Sequence, residues 1–86
     1  MSVTLTPSER DLARHALGLP NSRRRSYRNR YFAPPGSESH VIWSALVARG
    51  LAEMSRRPRN DFFCLTRVGA EAALEPGETL DPEDFP

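Results

Sequence analysis

Proline and glycine interrupt this chain so often that no long element fits. Gly18 with Pro20, Pro34-Pro35-Gly36, Gly50, Pro58 and Pro76-Gly77 cut the 86 residues into short runs. Proline cannot continue a helix or a central strand, and glycine supplies the left-handed backbone at which helices stop. With 38% hydrophobic residues, the chain has room for two or three short helices and a hairpin around one small core. No apolar run approaches the ~20 residues that span a bilayer. The first residues lack the basic-then-apolar layout of a signal peptide. A single cysteine, Cys64, has no partner for an internal disulfide, so a reducing, cytoplasmic location is the default expectation.

Within those limits the helix signals are local. Thr6-Pro7-Ser8-Glu9 has the N-cap, first-turn proline and N3 glutamate of a capping box. Leu12, Ala16 and Leu19 follow at i, i+4 and i+7, Asp11 complements the helix dipole, and Gly18 and Pro20 stop the helix near Leu17. Ser37 caps a second helix over 38–49, with Ile42, Ala45, Leu46 and Arg49 aligned and Val41 and Val47 widening the stripe. Trp43 falls to one side of that stripe, as a core-edge residue. Gly50 suits the C′ position and Leu51 the returning C″ contact.

Residues 51–56 and 62–66 are β-prone, and Arg57-Pro58-Arg59-Asn60-Asp61 joins them as a hairpin loop. Phe63 and Leu65 share one face, with Phe62 and Cys64 on the other, where Cys64 reads as a small packed hydrophobe. Thr66 caps a third helix over 67–74, with Val68, Ala72 and Ala73 inward and Gly69 permitting close packing. Residues 20–36 form a connector between the first two helices. A short strand within 28–33 is favoured there, although Tyr27 and Tyr31 at i, i+4 also fit one helical turn. The expected fold is a small α+β domain over 1–74.

Arginine is the only strong base, and it is clustered. All twelve Lys+Arg residues are Arg. Arg23, Arg24, Arg25, Arg28 and Arg30 crowd the connector, interleaved with Tyr27, Tyr31 and Phe32, and Arg56, Arg57 and Arg59 crowd the hairpin tip. Guanidinium groups fork onto phosphate or carboxylate. The expected partner is therefore polyanionic, a nucleic acid or an acidic protein face. The net charge of +1 conceals a dipole: residues 1–67 hold twelve Arg against five acids, +7, and residues 68–86 hold six acids and no base, −6. Residues 75–86 are expected to be a disordered acidic tail, either solubilising or masking the basic body.

Chemistry beyond charge is not signalled. There is no Gly-rich phosphate loop, no Cys/His metal spacing and no nucleophile–base pair. His15 reads as a surface residue, and nothing in the spacing draws Asp11, Glu38 and His40 together. No catalytic residue, metal or cofactor is expected.

The run Leu46-Val47-Ala48-Arg49-Gly50-Leu51-Ala52-Glu53, followed by Phe63-Cys64-Leu65-Thr66-Arg67-Val68-Gly69, resembles the C-terminal half of winged-helix domains over residues 38–74. In those domains a helix ends in glycine before leucine, a β-hairpin forms the wing, and Leu-Thr-x-x-Gly opens the closing helix. The resemblance implies three helices with a C-terminal hairpin wing, DNA as a partner, a helix in the major groove and a wing tip on phosphate. The chain departs from the pattern before the second helix, where Arg-rich, aromatic and Pro-Pro-Gly sequence replaces a helix. That second helix offers Glu38, Ser39, His40, Ser44 and Arg49 as polar residues, of which only Arg49 is a strong base or phosphate reader. The stretches His15–Pro20 and Ser26–Tyr31 resemble small phage and prophage proteins without an agreed activity, which implies a bacterial host.

Two functions follow as expectations. The first is nucleic-acid binding, with DNA first, through Arg23, Arg24, Arg25, Tyr27, Arg28, Arg30, Tyr31, Arg49, Arg56, Arg57 and Arg59. The connector and hairpin tip would then form one exposed cationic face. The second is a phage-encoded inhibitor of a host defence complex, anti-CRISPR-like, docking by the Arg cluster or the acidic tail with Trp43, Tyr27 or Phe32 as anchors. A monomer or weak homodimer is expected.

Overall fold

The computed structural model describes residues 4–58 and 61–85. The order is α1 (Pro7–Leu17), β1 (Tyr31–Ala33), α2 (Glu38–Ala48), β2 (Ala52–Arg56), β3 (Asp61–Leu65) and α3 (Arg67–Ala73). The strands form an antiparallel sheet in the order β1-β3-β2. This is an α+β fold with three helices among the described residues. The hairpin is internal, because α3 and the acidic segment follow it.

The caps read from the sequence form. Thr6 Oγ1 accepts from the Glu9 N–H at 3.2 Å, while Glu9 Oε1 accepts from the Thr6 N–H at 2.9 Å. At the end of α2, Gly50 takes φ +74°, its N–H donates to the Val47 carbonyl and the Leu51 N–H to that of Leu46. That is the paired C-terminal bonding in which a left-handed glycine lets the chain fold back. Thr66 Oγ1 accepts from the Gly69 N–H. A Cβ on Gly69 would lie 2.0 Å from the Leu51 carbonyl oxygen, so only glycine allows α3 to seat where it does.

Rotation of the helices differs from the sequence reading. The interior side of α2 is led by Trp43 and Leu46, whereas Val41 is 65% exposed and Ala45 faces solvent. Trp43, placed at the core edge by its spacing, is fully buried, stacked on Phe63 at 5.5 Å and tilted against Tyr31 at 5.5 Å. Apolar residues lie on nearly every side of α2, so the largest ring decides which side turns inward. In α3 the buried residues are Gly69, Ala70 and Ala73, and Val68 is exposed. The close approach at Gly69 leaves room only for small side chains.

β1 settles the connector as a strand, starting at Tyr31 rather than near Arg28. It pairs Tyr31 with Phe63 and Ala33 with Asp61. The Asn29 side chain extends the pairing, accepting from the Leu65 N–H at 2.8 Å and donating to the Leu65 carbonyl at 3.0 Å. Pro34 ends the strand.

The acidic segment departs furthest from expectation. Read as disordered, residues 75–85 instead lie back across the molecule. The Thr79 N–H donates to the Arg24 carbonyl, the Ser26 N–H to the Thr79 carbonyl, and the Asp81 N–H to Ser26 Oγ. Phe85 joins the core. The physical reason is Arg14, a charged residue of α1 that is only 7% exposed. Glu78 supplies its counter-charge: Arg14 Nη2 donates to Glu78 Oε2 at 2.8 Å, Nη1 donates to the other oxygen, and Nη1 also donates to the Ala73 carbonyl. A buried guanidinium needs such a partner.

Candidate nucleic-acid interface

The connector is fastened to α1 rather than loose. The Asn21 side chain organises a turn, its Oδ1 accepting from the Arg23 N–H at 3.0 Å and its Nδ2 donating to the Gly18 and Arg25 carbonyls. Arg24 sits at φ +53°, a left-handed geometry at the turn's end. The Tyr27 N–H then donates to the Leu17 carbonyl and the Arg30 N–H to the Ala16 carbonyl. Side chains between these anchors stand out on a fixed backbone.

Tyr27 is the exposed ring of this segment, at 62%. Its ring lies over Gly18 so closely that a Cβ there would come within 2.3 Å of it. The Arg28 guanidinium lies 5.3 Å from the ring centroid. Tyr31, grouped with Tyr27 from the sequence, is instead half-buried between His15 and Trp43. It packs against the edge of the core.

The arginines divide by what neutralises them. Arg25 Nη2 is 3.3 Å from Asp81 Oδ1. Arg49 lies 3.1 Å from both Glu9 oxygens and donates to the Thr4 carbonyl. Arg28 donates twice to the His15 carbonyl, a neutral acceptor that holds the group and leaves its charge standing. Arg23, Arg24, Arg30 and Arg56 have no ion pair or side-chain hydrogen bond with the described residues. Arg24 nevertheless lies near enough to Glu78 to contribute to lowering its carboxyl. Arg59 lies outside the described residues.

The carboxylates paired with arginine are tuned accordingly. Arg14's hydrogen bond holds the Glu78 carboxyl below its ordinary value of 4.5, against the opposing effect of burial. Asp81 is lowered first by the Glu83 N–H and then by Arg25. Glu9 is lowered chiefly by the Thr6 N–H, with help from Arg49.

The structure spreads the predicted residues over several places rather than one cluster. Asn29 is level with Leu65 at the base of the hairpin, whereas Arg56 pairs with Asp61 at its tip. Four residues of strand separate the two levels, about 13 Å. Arg23 and Arg25 line an open cleft of ≈ 440 Å³ with Asn21, Tyr27 and Asp81. Arg28 and Arg30 line another with His15, Tyr31 and Phe32. Arg49 stands apart, at the start of α1.

Three features escaped the sequence reading. One is the buried Arg14–Glu78 pair. Another is Phe62, whose ring is 5.2 Å from Phe32 and lies under the Arg57 guanidinium at 5.4 Å. The third is His40, which meets Asp61 rather than Asp11 or Glu38. Its Nε2 is 2.6 Å from Asp61 Oδ2, Nδ1 is 3.4 Å from Ser44 Oγ, and the ring stands edge-on to Phe63. This chain of contacts docks α2 on the hairpin. Cys64, read as a small packed hydrophobe, is half-buried on β3, and partial burial, reinforced by Glu53, pushes its thiol up and away from the reactive thiolate.

Among the described residues, no group of three or more His, Cys, Asp or Glu side chains is arranged to hold a metal ion. No described helix is long and apolar enough to cross a membrane. The chain matches no protein-family model, and no curated protein or solved structure matches it.

Proposed function

We propose that this chain is a small phage- or prophage-encoded nucleic-acid-binding protein, winged-helix-like over 38–74, that works in the cytoplasm of a bacterial host without catalysis or cofactor. The observation that carries the reading is that Arg23, Arg28 and Arg30 make no ion pair with the described residues, while standing on a fastened backbone along which Tyr27 is exposed and Arg28 lies against its ring. Phosphates supply the missing counter-charge, and the hairpin tip adds Arg56 and Arg57 farther along the same polyanion. The glycine-terminated α2, the hairpin and the Thr66-capped α3 support the winged-helix likeness. Groove reading by α2 is not part of the proposal. Its exposed residues include Glu38, Val41, Ser44, Ala45 and Ala48, and Arg49 is engaged with Glu9. Binding is therefore expected to be weakly sequence-selective.

Fluorescence anisotropy with a labelled oligonucleotide at 50 and 200 mM salt tests this. About five phosphate contacts give a slope of log K against log salt of about −4 to −5. No binding at the lower salt, or an affinity indifferent to salt, removes the reading.

A second reading rests on α2. Val41, 65% exposed, lies beside Ala45 and Ala48 at i, i+4 and i+7, an apolar strip suited to a protein partner. An anti-CRISPR-like inhibitor would use that strip with Tyr27 and Phe32, while Trp43 is enclosed and unavailable as an anchor. Capture of a host protein that survives nuclease, together with no affinity for oligonucleotides, favours this reading. A monomer or weak dimer is proposed in either case.

A further inference from the structure

We infer that the outer side of the sheet is a stacking platform for unpaired bases, with Phe32 as its main ring, so that the nucleic acid bound is single-stranded. The inference rests on the nucleic-acid reading above and names the form of the ligand.

Strand alternation divides the sheet. Tyr31, Phe63 and Met54 lie in one row and face α1 and α2, as the contacts of Tyr31 with His15 and Trp43 require. Phe32, Phe62 and Ser55 form the opposite row, with Cys64 and Glu53 in the next. On that outer side Phe32 is 53% exposed and Ser55 faces solvent. A large ring in open water on a sheet invites apolar cover.

The surroundings specify which cover. Phe62 braces Phe32 at 5.2 Å, with the rings inclined at 59°. Arg57 is held over Phe62 from the hairpin tip. On the other flank Arg30 and Arg28 share a cleft with Phe32, and Arg28 leads on to the Tyr27 ring. Rings and guanidinium groups thus run together from Tyr27 through Arg28 and Arg30 to Phe32, Phe62 and Arg57. Glu53, an acid on the same side, lies in the next row, out on the edge strand opposite Cys64.

A cationic border around exposed rings fits a ligand with flat apolar faces and a regularly spaced negative backbone. Bases in a duplex keep their faces stacked on one another and cannot meet Phe32. Unpaired bases can, and single-strand binders use aromatic platforms within basic grooves in this way. The track also links the connector to the hairpin tip, which the arginines alone leave separated.

The test compares a labelled oligodeoxythymidine with a blunt duplex of equal length at 50 mM salt, using the full chain, Phe32→Ala and Phe32→Trp. Phe32 is largely outside the core, and thermal melts of each variant check that the fold holds. The expected result is tighter binding of the single strand. Phe32→Ala should lose about tenfold on the single strand with the salt slope unchanged, and Phe32→Trp should bind at least as well as the parent. If Phe32→Ala binds both forms like the parent while Arg23→Ala/Arg30→Ala weakens both, the platform is wrong and the arginine surface stands. If the parent chain binds neither form, the nucleic-acid reading falls and the platform with it.

Discussion

The seam between α1 and the acidic segment and the turn at Asn21–Arg24 use the same side chain for opposite ends. In the seam, Arg14 is enclosed and clamped by Glu78, and Arg25 is tied to Asp81. In the turn and the stretch that leads into β1, Arg23 and Arg30 reach solvent with no ion pair to the described residues. The charge dipole of the sequence suggests a basic body and a separable acidic mask. The comparison shows a division among the arginines themselves, between those the fold has neutralised and those it leaves available.

The strongest way to break that distinction is to strike the seam. Arg14→Ala should cost about 3–5 kcal/mol, because it strands a buried carboxylate; urea denaturation reads the loss directly. Cutting the chain after Leu74 removes Glu78 and Phe85 together, so it should destabilise the fold rather than unveil a binding surface. A truncated chain as stable as the parent, with tighter oligonucleotide binding, would restore the mask.

Acid should act on the same pair more gently. The folded Glu78 carboxyl is held below its ordinary value of 4.5, so the native state binds fewer protons than the unfolded one. Its stabilising contribution is present above about pH 4.5 and is lost as pH falls through the depressed folded value. Thermal melts at pH 7, 4.5 and 3 should show a midpoint that holds and then drops, with the drop blunted in Glu78→Gln, itself destabilised throughout.

Arg49→Ala probes an intermediate case, an exposed arginine already paired with Glu9. It should cost about 0.2–1 kcal/mol by the same denaturation and leave oligonucleotide affinity almost unchanged. Arg23→Ala with Arg30→Ala should shift stability by less than about 0.5 kcal/mol. The double variant should nonetheless flatten the salt slope by about 2. A large stability loss there would place those residues with the seam.

What the sequence discloses follows how far apart the interacting residues lie. The Thr6–Glu9 box, the Gly50 reversal and the Thr66–Gly69 cap each span a few positions and carry their own residue types, so they were legible. The hairpin was legible from alternation at Phe63 and Leu65. Arg14 and Glu78 are 64 positions apart, and no local pattern marks an arginine for burial. The inward turn of Trp43 was hidden because it depends on Phe63 from another element. The same holds for Phe32, whose neighbour Phe62 and overlying Arg57 become apparent only once β1 is registered on β3. Counting arginines therefore located the charge without revealing how it is shared out.

The enclosure of Trp43 has a practical consequence. The indole is the chain's lone tryptophan, sealed against Phe63, and its buried Nε1–H finds no acceptor among the described residues. Its emission should be blue-shifted while α2 stays seated and move to the red once water enters. Phe32 lies on the opposite side of the sheet from Tyr31, the residue that touches the indole, so an oligonucleotide stacking on Phe32 should leave the colour of that light almost unaltered. The molecule carries a lamp for its own integrity that is blind to its ligand, and the two events can be followed separately in one cuvette.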